Sequence, residues 1–176
     1  DHVIKEFEST IALDTFGTTE ARERVADTVV QVALAGGQTN AEFDKLLTYG
    51  IHELEKEFAE SFSPRIPLFL GKLYTIRVNL TGQDAGKAEA AYQVLQERAP
   101  TYVQTYLGFA ELYLIVGENK KAVAAAEKAY RLPTKRETLG ALFFPVFSVH
   151  LLSGSFDKAL EFIHTYKKQT DLDPPI

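Results

Sequence analysis

Residues 106–133, YLGFAELYLIVGENKKAVAAAEKAYRLP, predict two helices that pack together around one turn. In the first half, large side chains recur at helical spacing on one face, at Tyr106, Phe109 and Tyr113. Gly117 is typical of a helix end, since glycine readily adopts the left-handed conformation that closes many helices. In the second half the residues at helical spacing are small: Ala122, Ala125, Ala126 and Ala129. Small side chains on one helix allow the other to approach closely, so this stretch predicts a tightly packed helical hairpin.

The same pattern recurs on both sides of this stretch. A shift of 37 residues towards the C terminus brings a second set into register: Phe143, Val146, Phe147 and His150, then Ala159, Phe162, Ile163 and Tyr166. A shift of 34 residues towards the N terminus aligns the second helix with Ala88, Ala91, Tyr92 and Leu95. The matching first helix lies 39 residues back, at Leu70, Gly71 and Tyr74. The two shifts differ by five residues, which we place in an enlarged loop over residues 81–86, TGQDAG, because that run is rich in turn formers.

Hairpins with a period near 34 residues resemble the tetratricopeptide repeat (TPR), in which each unit is a helix, a turn and a helix. Three such units are in register, over residues 64–100, 103–134 and 140–170. Three repeats are the minimum for a stable stack, since each unit buries its apolar face against a neighbour. The resemblance implies an all-α fold with one domain over residues 1–176. This domain is expected to be a TPR-like superhelix, a solenoid of antiparallel helix pairs with about nine helices.

Residues 1–63 are interpreted as divergent N-terminal helices of the same domain. Apolar residues at helical spacing predict a short first helix that ends near Asp14, a second helix over residues 18–35 and a third over residues 40–61. The last two look like a divergent, lengthened repeat, because their apolar stripes follow the same amphipathic pattern.

A narrower resemblance concerns residues 12–33, ALDTFGTTEARERVADTVVQVA, and residues 52–74, HELEKEFAESFSPRIPLFLGKLY. These stretches, and TFGTTEARE at 15–23 in particular, are similar to the soluble repeat region of bacterial O-antigen ligase or polymerase family proteins. Members of that family are multi-span membrane proteins that polymerise or transfer lipid-linked glycans, with catalysis attributed to loops between the spans. The resemblance implies that this region is a non-catalytic soluble portion of such a protein, tethered to a membrane domain outside this chain. The alternative is a free-standing TPR adaptor or a self-association module unrelated to glycan assembly.

Composition excludes several classes of function. The chain carries 19 basic and 24 acidic residues and a net charge of -5, so it lacks the basic footprint that nucleic-acid binding requires. It has no cysteine, which excludes disulfides and thiolate metal sites.

The chain also begins at Asp1 without an initiating methionine, and we expect it to be cut from a longer protein.

The most apolar run, Leu139 to Leu152, is too short to cross a bilayer and contains Pro145. We interpret it as a buried helix, and we expect no direct membrane insertion of this chain. Pro145 has no backbone N–H to donate, so it is predicted to bend or interrupt that helix.

No residue pattern predicts a catalytic, cofactor or metal site. The four histidines, His2, His52, His150 and His164, lack the i, i+4 pairing that puts two metal ligands on one helical face. His150 stands where the repeat pattern has tyrosine, and we interpret it as a core or half-buried aromatic substitute. Glu53 and Glu57 flank an apolar stripe and are interpreted as an ordinary solvated helix face. We therefore expect no cofactor, no metal and no enzyme activity in this region.

In the TPR family, the first helices of successive units line a concave groove that binds a protein or peptide segment. The resemblance implies that the groove positions here are Lys72, Thr75, Gln104, Leu107, Glu111, Leu114, Phe144, Ser148 and Leu151. Family members that clamp a chaperone's terminal carboxylate carry Lys, Asn and Arg at positions held here by Leu68, Lys72, Gly108, Ala141 and Pro145, so that clamp is not matched. The expected ligand is a segment with apolar anchors beside Leu107 and Leu114 and a basic residue near Glu111.

Overall fold

A computed structural model of the chain describes residues 2–13, 17–36, 41–59, 61–132 and 136–171, with the backbone alone for 136–139 and 169–171. Within these ranges there are nine α-helices and no strand. They are α1 (His2–Ile11), α2 (Thr18–Leu34), α3 (Ala41–Phe58), α4 (Arg65–Thr81), α5 (Ala85–Arg98), α6 (Val103–Ile115), α7 (Asn119–Arg131), α8 (Arg136–Leu152) and α9 (Phe156–Asp171). The all-α prediction is confirmed. Asp14 and residues 133–134, where two predicted elements end, lie outside the described residues.

The chain divides into two compact units, Asp1–Pro100 and Thr101–Ile176. Unit 1 holds α1 to α5, and unit 2 holds α6 to α9. Within unit 1, α2 packs on α3, α3 on α4, and α4 on α5. Within unit 2, α6 packs on α7, α8 on both of them, and α9 on α8. The single domain over residues 1–176 stays a prediction.

Unit 1 contains a very close approach between α4 and α5. Tyr92 on α5 is fully buried, and a Cβ placed on Gly71 of α4 would lie only 2.6 Å from Cε1 of its ring. The hydroxyl of Thr75 donates to the Gly71 carbonyl at 2.8 Å and lies 3.3 Å from the Tyr92 hydroxyl. Here the small residue is on the first helix and the large one on the second, the reverse of the arrangement in residues 106–133.

Unit 2 is built around the alanines of α7. Ala122 and Ala126 are completely buried in the unit 2 core cluster, which also contains Ala110, Val123, Val146, Val149 and Phe162. Aromatic rings on α7 and α8 also pack against Phe162 of α9. Phe143 stacks on Phe162 with ring centroids 5.5 Å apart, and Tyr130 of α7 meets the Phe162 ring edge-on at 4.7 Å. The small side chains of α7 therefore let α8 pack closely against it.

The three repeat hairpins have turns of one length. Residues 82–84 join α4 to α5, residues 116–118 join α6 to α7, and residues 153–155 join α8 to α9. Each turn contains a glycine with positive φ, at 74° for Gly82, 78° for Gly117 and 72° for Gly154. That backbone conformation favours glycine, because it has no Cβ. The predicted enlarged loop over residues 81–86 is therefore wrong.

The inserted residues lengthen α4 instead. Helix α4 continues from Tyr74 to Thr81, whereas α6 ends two residues after the aligned Tyr113, at Ile115. Nothing in residues 77–81, RVNLT, breaks a helix, and burial of Val78 holds this extension in the core. The helix therefore runs on for about one and a half turns until the glycine at 82 ends it.

Helix α8 is continuous from Arg136 to Leu152, although Pro145 lies inside it. The proline deprives the carbonyl of Ala141 of its hydrogen-bond partner. Both residues are exposed, so solvent satisfies that carbonyl. The predicted interruption does not occur, and a bend stays a prediction.

Candidate interaction surface

Two of the implied groove residues, Lys72 and Thr75, belong to unit 1. Thr75 is buried, and its hydroxyl hydrogen bonds within the α4–α5 hairpin as described above. Its side chain is a core group and offers nothing to a ligand, so its assignment to a groove is wrong. Lys72 is half-buried.

The other seven groove residues lie on α6 and α8 of unit 2. Those with exposed side chains are Gln104, Glu111, Phe144, Ser148 and Leu151. Leu107 and Leu114 are half-buried, and both pack against the unit 2 core cluster. These two leucines therefore serve the packing of the unit itself, and their apolar character does not require a ligand.

The last hairpin presents large apolar side chains to solvent. On α8, Phe144 is 72% exposed and Leu151 is also exposed; on α9, Phe156 is 63% and Leu160 is 58% exposed. We call these four residues the end face. From residue 140 to residue 152, α8 contains no Asp, Glu, Lys or Arg. Single surface leucines are common, whereas several large apolar side chains exposed on one hairpin make that hairpin the candidate interaction surface.

Three end-face residues have less exposed counterparts 37 residues earlier: Phe144 corresponds to Leu107 and Leu151 to Leu114, which are both half-buried, and Leu160 corresponds to Val123, which is buried. The contrast is largest in the last pair, because Val123 is only 5% exposed. Val123 lies in the core cluster with Val146 and Val149 of α8. Thus α8 helps to cover Val123 on the preceding hairpin, whereas the equivalent Leu160 on the last hairpin is exposed.

The sequence prediction does not include Phe156 and Leu160, because the TPR resemblance implies groove residues only on the first helix of each unit. The repeat register contains the missing signal. A shift of 37 residues maps the core residue Val123 onto another aliphatic residue, Leu160, near the end of the repeat array. An aliphatic side chain at residue 160 is suited to burial by a neighbouring helix, as its counterpart Val123 is buried.

Unit 1 contains a polar network that the sequence interpretation missed. Glu53 is buried and Glu57 half-buried, so their assignment to a solvated helix face is wrong. Arg22 of α2 donates to Glu53 Oε2 at 3.2 Å and to Glu57 Oε2 at 3.3 Å. Lys56 also donates to Glu53, and the Thr19 hydroxyl donates to Glu57. The network joins α2 to α3, and its cations compensate its carboxylates.

The charge state of Glu53 follows from this network. Burial by itself raises the pKa of the carboxyl, but hydrogen bonds from Lys56 and Arg22 outweigh burial, so the pKa of Glu53 lies below its ordinary value. Glu53 is consequently ionised at neutral pH, as expected for a structural ion pair. A general acid would instead need a pKa raised above the ordinary carboxyl value.

An open polar cleft of about 530 Å³ lies beside this network, lined by Thr19, Glu20, Glu23, Arg24, Asp27 and Arg65. Burial raises the pKa of Glu23, and the nearby carboxylates of Glu57 and Glu20 raise it further, while Arg65 opposes them. Arg65 Nε lies 2.9 Å from Glu23 Oε2. The side chains that line the cleft carry both positive and negative charges, and Glu23 is already paired with Arg65. The cleft therefore does not indicate one class of ligand.

A second cavity, of about 400 Å³, lies in unit 2 and is lined by residues of α7, α8 and α9, including Glu127, His150, Lys158 and Phe162. His150 is buried, and its Nδ1 has no hydrogen-bond partner in the described part of the chain. Burial lowers the pKa of His150, so the ring is neutral at physiological pH. Lys158 Nζ bonds Glu127 Oε1 at 2.7 Å. The interpretation of His150 as a core aromatic is confirmed.

Comparison with protein-family models, curated proteins and solved structures finds no significant match to this chain. Among the described residues, no group of three or more His, Asp or Glu side chains is arranged to hold a metal ion. None of the helices, as far as they are described, combines the length and apolar character needed to cross a bilayer. The end face is therefore the feature from which we argue function.

Proposed function

We propose that this chain is a non-catalytic scaffold for protein–protein interaction, built from TPR-like hairpins, and that it binds its partner through the end face of α8 and α9. One observation carries this proposal. Leu160 is exposed at a position whose counterpart, Val123, is buried under a helix. Covering the exposed part of such a side chain stabilises a complex by about 1–2 kcal/mol, since Leu160 is 58% exposed and full burial is worth about 1.5–3 kcal/mol.

The same observation favours a particular kind of partner. What covers the preceding hairpin is α8, a helix with an apolar face. An equivalent surface is best filled by another helix with apolar anchors three or four residues apart, because helix packing sets the spacing of the ridges that fit it. We therefore propose a helical protein segment as the ligand.

Assignment to the TPR type is supported by three features. The three hairpins share three-residue turns with a left-handed glycine, as described above. The second helix of the middle hairpin carries buried alanines, Ala122, Ala126 and Ala129. Within unit 2, each helix packs on the next and α8 also contacts α6, as stacked helix pairs require.

We further propose that the parent protein is an O-antigen ligase-like membrane protein of glycan assembly. The support is the similarity of residues 12–33 and 52–74 to the soluble repeat region of that family. A free-standing adaptor or self-association module is the second candidate, favoured by the apolar end face alone. The full-length gene distinguishes them: the first candidate requires about ten apolar spans upstream of Asp1, and a start codon near Asp1 excludes it.

Site-specific photo-crosslinking in the cell that produces the protein tests the end face. A benzoylphenylalanine is placed at Phe144 or at Leu160, and at Leu34 as the control, since Leu34 is also exposed but lies on α2 in unit 1. We expect a discrete protein adduct from positions 144 and 160 and none from position 34. Failure of both end-face positions to give an adduct would contradict the proposed function.

A further inference from the structure

We propose that the last hairpin contains an acid-sensitive switch, in which protonation of the His150 ring releases α9 from the rest of unit 2. The ring lies where α7, α8 and α9 meet, since side chains of all three helices line the same cavity of about 400 Å³. Helix α9 carries Phe156 and Leu160, so its release would also dismantle the end face. The switch does not depend on the function proposed above, because it concerns only the packing of α9.

Helix α9 is attached to unit 2 by few buried side chains. Over residues 156–168, where its side chains are described, only Ala159 and Phe162 are buried. The Phe162 ring meets that of Tyr130 at 4.7 Å and that of His150 at 5.7 Å between centroids. A helix with so little buried apolar surface opens at a lower free-energy cost than the unit as a whole. A change at His150 therefore acts on one of the two side chains that hold α9.

The environment of the His150 side chain suits a neutral ring. The residue is 2% exposed, and its Nδ1 is buried without a hydrogen-bond partner in the part of the chain that the structure describes. A neutral imidazole has a single N–H to satisfy, whereas an imidazolium donates from both nitrogens. Protonation would therefore leave a charged donor buried without an acceptor, which costs more than an unpaired neutral nitrogen.

The ionisable side chains around the ring come from α7 and α9, and they are Glu127, Tyr130, Arg131, Lys158 and Glu161. Among the described residues, α6 contributes no side chain to this cavity, and α8 contributes no titratable group besides His150. Glu127 is already shared by Lys158 at 2.7 Å and Arg131 at 3.3 Å. Glu161 is exposed, so solvent screens its charge. Neither carboxylate is therefore available to compensate a charge on the ring.

The direction of the pH effect follows from these surroundings. Burial lowers the pKa of His150, and the attraction of Glu127 and Glu161 does not cancel it, so the pKa lies below the ordinary value of 6.5. When α9 opens, the ring reaches water and its pKa returns towards 6.5, so the open form binds the proton more readily. The closed form has its full stability above about pH 6.5 and loses it as the pH falls through the lower pKa of the closed form.

Hydrogen exchange of the α9 amides tests the switch. In the purified chain, the opening constant of α9, corrected for the intrinsic exchange rate, should increase by up to about tenfold from about pH 6.5 to about pH 5.5. The amides of α3 in unit 1 are the internal reference and should show no such increase. An α9 opening constant that is the same at both pH values would overturn the switch.

Two variants assign the effect to one ring. His150→Phe keeps an aromatic side chain but cannot be protonated, so its α9 opening constant should not respond to pH over this range. His164→Gln is the matched control, because it removes an exposed histidine from α9 itself, and it should respond as the parent does. A His150→Phe variant that keeps the parental pH response would overturn the assignment to His150.

A titration of the parent followed by proton NMR gives a result even if His150→Phe does not fold. At about pH 6.5, the ordinary value, the His150 ring should still be mostly neutral. A ring that is half protonated at this pH would overturn the switch, because burial would then not oppose its charge.

Discussion

Gly71 sets the distance between α4 and α5, since its missing side chain leaves room for the ring of Tyr92. Gly71→Ala would place a methyl group less than 3 Å from three ring atoms of a fully buried side chain. Such overpacking costs about 1–3 kcal/mol, which exceeds the gain of about 1 kcal/mol that alanine brings to a helix. We therefore predict a net loss in the free energy of unfolding, measured by urea titration.

Gly86→Ala is the matched control for this prediction. Gly86 lies in α5, and nothing lies within 4 Å of a Cβ placed there. The same chemical change should be neutral or should stabilise the chain by up to about 1 kcal/mol. If Gly71→Ala behaved like Gly86→Ala, the close approach of the Tyr92 ring would be refuted.

Glu53 gives unit 1 a dependence on acid. Because its pKa in the folded chain lies below the value in the unfolded chain, the unfolded chain binds the proton more readily. The stability from this group is present above about pH 4.5 and is lost as the pH falls through the lower, folded value. At pH 7, Glu53→Gln should lower the free energy of unfolding by about 1.5–3 kcal/mol, since hydrogen bonds to a charged group are lost.

The measurement is urea unfolding of the parent and of Glu53→Gln at several pH values. The difference between them should shrink as the pH falls below 4.5, the ordinary value for the carboxyl. Glu97→Gln changes an exposed carboxylate on α5 and should cost almost nothing at any pH. A difference that stays constant from pH 7 to pH 3 would show that the charge of Glu53 does not stabilise unit 1.

The same residue shows where sequence reasoning stops. Glu53 flanks the apolar stripe of α3, which is where solvated carboxylates usually lie. It is buried because Arg22, on another helix and 31 residues earlier, reaches it. The spacing of apolar residues along α3 holds no information about a partner on another helix. It therefore predicts the helix correctly and the environment of Glu53 wrongly.

At the scale of the helices, Ala126 on α7 is the clearest test of hairpin packing. It is completely buried in the unit 2 core cluster, so Ala126→Leu should overpack the cluster and cost about 1–3 kcal/mol. Ala124→Leu, on the exposed side of the same helix, should change the melting temperature little. Equal melting temperatures for the two variants would contradict the assigned buried face of α7.

Helix periodicity predicts which helices are present more accurately than it predicts where each helix ends. Composition predicts that the five extra residues between Tyr74 and Ala88 lie in a loop, because residues 81–86 are rich in turn formers. Only Gly82 was needed to stop the helix, and the residues before it were all compatible with continuing it. Composition indicates that a turn is present, but the positive φ of one glycine decides where it begins.

At the scale of the whole molecule, the sequence predicts an all-α chain with repeated hairpins, which the structure confirms as far as the fold class. It does not predict which surface is available. Leu107 and Phe144 occupy equivalent positions in the repeat, yet one is half-buried against the core and the other is exposed. Leu107 packs against the unit 2 core cluster, to which α8 contributes Val146 and Val149. The exposure of a repeat position therefore depends on neighbouring helices, which the residue itself does not reveal.

Leu160 on the end face is the uncovered counterpart of Val123, which α8 helps to cover. A matched pair of variants, Val123→Lys and Leu160→Lys, tests it most directly through their free energies of unfolding in dilute solution. Val123→Lys should cost about 3–5 kcal/mol, because it buries an ammonium without a partner, whereas Leu160→Lys should stay within about 0.5 kcal/mol of the parent. Equal losses for the two variants would contradict the claim, since they would show that Leu160 is as buried as Val123.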